Sequence, residues 1–107
     1  MGGIIKVWII QPKKEPVKEF IPNMPHFIEW QVGLRRTGSR VEVFMAGRDM
    51  NIVYTPDAEE EGAPLNFSYM GKDFYGTEII AGEEKGNFAD CGMNETELRL
   101  KLPQAWQ

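Results

Sequence analysis

The sequence predicts an α+β fold: a small, mostly antiparallel sheet with one amphipathic helix packed on a face and a candidate short helix at the C-terminus. Three observations point there. Residues 4–10 form a β-branched and aromatic run. Two further pairs of such runs, within 41–54 and 74–91, are separated by glycine-containing turns. Residues 24–34 show apolar side chains three and four apart, the spacing of a helical face. The chain of 107 residues is the length of one domain, and a second would have too little chain for its own core.

Ile4-Ile5-Lys6-Val7-Trp8-Ile9-Ile10 reads as a largely buried strand, expected at the centre of the sheet. Residues 16–21 have the length of a second strand, and their weak alternation and Pro16 suggest an edge. Asn23 can cap a helix beginning near Met24-Pro25, with Phe27, Trp30 and Leu34 on its apolar face. Gly33 marks its end. Residues 41–45 and 50–54 form a hairpin across Gly47-Arg48-Asp49. Leu65-Asn66-Phe67 opens a segment of open type, interrupted by Gly71.

Residues 74–82 read as one strand, Glu83-Glu84-Lys85-Gly86 as a turn, and residues 87–91 as its return. Asn94-Glu95-Thr96-Glu97 has a capping-box pattern that favours a short helix stopped by Pro103. The alternation of Leu98, Leu100 and Leu102 also admits a strand.

Net charge is −4 but uneven. Residues 1–48 hold eight Lys/Arg and four Asp/Glu, whereas residues 49–107 hold four and twelve. The acidic half argues against direct nucleic-acid binding, which needs a basic footprint. No stretch approaches the ~20 apolar residues of a membrane span, and the run at 4–10 is too short for a signal peptide. With Cys91 the single cysteine, an internal disulfide is excluded and a cytoplasmic location is expected.

Catalytic chemistry is not legible. His26 and Cys91, sixty-five residues apart, offer neither metal-ligand spacing nor an evident third orienting group. There is no phosphate-cradling loop or dinucleotide fingerprint. No metal, cofactor or enzyme activity is expected. Asn94-Glu95-Thr96 fits a glycosylation pattern without a secretory signal and is read as incidental.

Several short motifs carry a resemblance: Ile5 to Pro12, Gln31-Val32-Gly33 before Val41-Glu42-Val43, Pro64-Leu65-Asn66, Gly76 to Gly82, Gly86-Asn87-Phe88, and Thr96-Glu97-Leu98. Together they resemble a small domain-of-unknown-function family carried by phages, plasmids and conjugative elements. Lys13-Lys14 and Arg35-Arg36 depart from its pattern. The resemblance implies an accessory protein, and small acidic accessory proteins of such elements often block a host defence component, some by mimicking DNA.

Two functional expectations follow. The first is an inhibitory binding protein of anti-CRISPR or antirestriction type. Its partner would be a host nuclease or nucleic-acid-binding protein with a basic surface. The contacts expected are Asp57, Glu59, Glu60 and Glu61, with Glu83 and Glu84 on a neighbouring turn and exposed aromatics such as Tyr54, Tyr69, Phe74 or Tyr75 as anchors. It depends on these carboxylates forming one patch. The alternative is a small-molecule or nucleotide-sequestering module using Arg35, Arg36, Arg40 and Arg48 against phosphate. An edge strand at 17–21 also leaves a homodimer open.

Overall fold

In the computed structural model the chain is described over residues 3–24, 27, 28 and 40–106. Over these residues the following elements are traced in order, besides the helical pair Phe27 and Ile28. They are β1 (Ile4–Ile10), β2 (Val17–Pro22), β3 (Glu42–Met45), β4 (Asn51–Tyr54), β5 (Leu65–Tyr69), β6 (Lys72–Tyr75), β7 (Glu78–Glu84), β8 (Asn87–Ala89) and α1 (Glu95–Lys101), with a 3-10 turn at Pro103–Trp106. The main sheet runs β2-β1-β7-β4-β3, all antiparallel, and β8 folds back on the far end of β7. Strands β5 and β6 form a separate two-stranded sheet. The sheet therefore dominates. The expected helix at 24–34 lies mostly outside the described residues; Phe27 and Ile28 are helical, and the Ile28 N–H donates to the Met24 carbonyl at 3.1 Å.

The alternation of β1 explains how the sheet is covered. Trp8 and Ile10 point to one face, where they meet Ile52, Ile80, Phe67, Phe74, Met93, Leu98 and Leu102. Ile5 and Val7 point to the other, against Ile21, Ile28, Val53, Ile79 and Ala81. Ile79 and Ile80 are adjacent in β7 and both buried, so this strand is packed on both faces. Each such side chain contributes about 1.5–3 kcal/mol on burial. The centre of the sheet is thus β7, not β1: β1 and β4 are also packed on both faces, but they flank β7 in the strand order. Strand β2 is at the edge, as its sequence predicts.

Two boundaries differ from the sequence reading. The run at 74–82 is not one strand: Gly76, at φ +75°, breaks it into β6 and β7. A Cβ there would already touch Ala63 and Ala58. The stretch interrupted by Gly71 is a hairpin whose turn, Met70-Gly71, takes positive φ at both residues, the geometry that matches strand twist. Lys85-Gly86 does the same between β7 and β8, so Glu83 and Glu84 belong to β7 and not to the turn.

At the C-terminus the helix wins over the strand. The Asn94 side chain accepts from the Glu97 N–H at 2.8 Å, and the Glu97 carboxylate accepts from the Asn94 N–H at 3.0 Å. This reciprocal cap satisfies two donors that a helix start leaves open. Leu98 and Leu102, one turn apart, then enter the core together. The Trp8 indole N–H donates to the Met93 carbonyl at 3.0 Å and ties the preceding segment to β1.

Candidate protein-interaction site

The residues expected to form one acidic surface lie at two ends of the molecule. Strand β4 delivers Tyr54 to the end of the sheet where β7 begins, since Val53 pairs with Ile79. The loop that follows lays Ala58 and Ala63 against Gly76. Asp57, Glu59, Glu60 and Glu61 are therefore at the start of β7. Glu83 and Glu84 are at its other end, five and six residues from Glu78, or about 17–20 Å at the rise of an extended strand. They are not on a turn neighbouring the crest.

The crest is also partly engaged within the chain. Asp57 accepts from Arg40 at 2.9 Å through Nη2 and at 3.4 Å through Nε, and Glu42 lies 3.9 Å from the same guanidinium. Hydrogen bonding and charge from Asp57 hold the Arg40 guanidinium above its ordinary pKa. Tyr75 is hydrogen-bonded to Glu59, and burial together with this carboxylate raises its phenol. Glu60 and Glu61 are exposed.

The expected aromatic anchors resolve differently. Tyr54 is half-buried, donates to Glu42 at 3.0 Å and carries Lys72 Nζ 4.9 Å from its ring centre. Phe74 is not an exposed anchor: it is 1% exposed, edge-on to Tyr54 with ring centres 5.1 Å apart. It points inward because it sits across from Phe67 in the hairpin, and both cap the Trp8 side of the sheet.

The arginine site of the alternative reading is not assembled by the residues described. Arg40 precedes β3 and pairs with Asp57, whereas Arg48 sits in the β3–β4 turn at the opposite end of that strand. Arg35 and Arg36 lie outside the described residues, as does His26. Among the described residues, no group of three His, Cys, Asp or Glu is placed to hold a metal. Cys91 is buried, its Sγ donating to the Asp49 carbonyl at 3.3 Å, and burial pushes its thiol up and away from the reactive thiolate. No helix of the described residues is long and apolar enough to cross a membrane.

What the fold does build is a groove at the Glu83–Glu84 end, with a volume of about 1120 Å³. Its apolar lining comes from Ile5 on β1, Met24, Val43 and Met45 on β3, and Phe88 on β8. Register puts Val43 and Met45 on the Ile5 face of the sheet, across from Val53 and Asn51. Met45 is 76% exposed and Met24 is 53% exposed. Around this floor stand Glu83, Glu84 and Asp90, with Lys85 between them.

The rim is held by backbone contacts. Glu83 accepts from the Gly86 N–H at 2.6 Å, and Asp90 from the Lys6 N–H at 2.8 Å. The β7–β8 hairpin can fold this tightly because position 82 is glycine. A Cβ there would come 2.1 Å from the Asp90 carbonyl oxygen.

Two features escaped the sequence reading. The exposed methionines are not legible as a surface in the sequence, because which face of β3 is outward depends on register. Glu78 reads in the sequence as an ordinary strand residue, yet it is fully buried. The signal was present, since a strand with Ile79 and Ala81 on one face and Ile80 on the other leaves no solvent side for Glu78. Comparison with known proteins returned no matching family model, no matching curated protein and no matching solved structure.

Proposed function

We propose that this chain is a binding protein that takes a basic, apolar-anchored segment of another protein into the groove between the β3–β4 and β7–β8 hairpins. The observation that carries the reading is an apolar lining that includes the exposed Met24, Val43 and Met45, with Glu83, Glu84 and Asp90 beside it. Methionine-lined surfaces adapt to varied apolar anchors, and one-signed charge around them accelerates encounter with an oppositely charged partner. Of the acidic residues singled out from the sequence, Glu83 and Glu84 are the pair this reading retains. The crest at 57–61 drops to a supporting role, because Asp57 and Glu59 already have intramolecular partners.

In biological terms the reading is an accessory protein of a phage or mobile element that occupies the basic surface of a host defence component such as a nuclease. The support for that step is the acidic composition and the short-motif resemblance. The nucleotide-sequestering alternative loses support from the separation of Arg40 and Arg48.

The test uses a labelled peptide alternating Lys with Leu, and a counterpart in which Glu replaces Lys, followed by fluorescence anisotropy. The Lys peptide should bind and the Glu peptide should not. The double variant E83K/E84K should weaken binding at least about tenfold at low salt, with a smaller loss at high salt. Equal binding of both peptides, or an unaffected double variant, contradicts the proposal.

A further inference from the structure

We infer that Asn66 and Glu78 form a proton-dependent clamp that holds the β5–β6 hairpin on the main sheet, tight in acid and loosened as the solution becomes alkaline. The hairpin shares no strand ladder with the main sheet. Its Phe67 and Phe74 pack on the core, and Gln104 Oε1 accepts from the Ser68 N–H at 2.8 Å. Lys72 of β6 also sits 4.9 Å from the Tyr54 ring centre and Tyr75 bonds Glu59, but the polar link that reaches the centre of the sheet is Asn66. Its Nδ2 lies 2.9 Å from the Ile10 carbonyl of β1, 2.9 Å from the Gly76 carbonyl and 2.8 Å from Glu78 Oε1. One amide group thus joins β5, β1 and the start of β7. Its two hydrogens serve three acceptors, so one is shared.

Glu78 is 0% exposed and, among the described residues, its Oε2 has no hydrogen-bond partner. An ionised carboxylate there would be a buried charge with half of one donor group to stabilise it, which is costly. A protonated carboxyl carries no such cost. Burial pushes Glu78 up to about 9, and the Asn66 hydrogen bond opposes that rise without overcoming it. Titratable groups on the elements around it are engaged elsewhere: Tyr54 of β4 with Glu42, and Tyr75 of β6 with Glu59. Across the ladder on β1 stands Ile10. No charged side chain among the described residues contributes to the shift.

The direction follows from linkage. When the hairpin lifts, Glu78 meets water and returns to the ordinary carboxylate value of 4.5. Below that value both states hold the proton and the clamp contributes fully. Between 4.5 and about 9 the open state releases a proton that the closed state keeps. Opening then becomes more favourable by up to about tenfold per pH unit. Above about 9 the closed state ionises too, and the dependence ends.

Residue-resolved amide hydrogen exchange from about pH 6 to about pH 8, corrected for intrinsic rates, tests this on the wild type and Glu78→Gln. The wild-type opening constants of β5 and β6 should rise by up to about tenfold per pH unit, faster than those of Ile79 and Ile80, and should be flat in the variant. The same pH dependence in both proteins, or loss of protection in hairpin and main sheet together, overturns the clamp. Should the variant fail to fold, the carboxyl carbon of Glu78 is titrated by NMR in the wild type. A midpoint well above neutrality supports the inference, and one in the ordinary carboxylate range overturns it.

Discussion

The amide of Asn66 meets Oε1 of Glu78 at 2.8 Å in the seam between the small hairpin and the main sheet. The two residues are twelve apart in sequence, and Gly76 supplies the bend between them. Replacing Asn66 with Ala leaves three acceptors, the Ile10 and Gly76 carbonyls and the Glu78 carboxyl, without their shared donor. The expected loss is about 3 kcal/mol, read from urea unfolding at neutral pH. A change below about 0.5 kcal/mol would mean that water replaces the amide.

Gly82 marks the closest backbone approach in the groove wall. Gly82→Ala puts a methyl group 2.1 Å from the Asp90 carbonyl oxygen, where backbone on both sides leaves little room to yield. It should cost more than about 3 kcal/mol and open the β7–β8 hairpin. Gly47→Ala is the control. Its methyl would meet only Met50 Cβ at 3.9 Å, and its effect on the unfolding free energy should stay within about 0.5 kcal/mol.

Phe74 separates packing from recognition. As a buried ring against Phe67, Phe44 and Tyr54, it should cost about 3–5 kcal/mol when truncated to Ala. Peptide binding, measured on the fraction that remains folded, should be unchanged, because Phe74 faces the Trp8 side of the sheet and the groove lies on the Ile5 side.

These residues also show what the chain discloses before it folds. Local signals were readable: the run at 4–10, the edge character of β2, the Gly-containing hairpin at 47–49, and the cap at Asn94. Each rests on neighbours within a few positions. Strand limits around Gly76 and Glu83 were not, since extended backbone continues or stops according to which strand lies alongside. The fate of the acidic residues was least legible. Asp57 finds Arg40 seventeen residues away, and Glu83 is separated from the crest by the length of β7, so charge counted along the sequence merged two surfaces that the fold keeps apart. The clue to Glu78 was local but needed both faces of β7 to be read as buried.

The measurement that bears most directly on the binding site is NMR chemical-shift mapping with the Lys–Leu peptide. Shifts gathered on Val43, Met45, Glu83, Glu84 and Phe88, and absent with the Glu–Leu peptide, are what the acidic-rimmed groove predicts. Shifts gathered instead on residues 57–61, or none at saturating peptide, would contradict it.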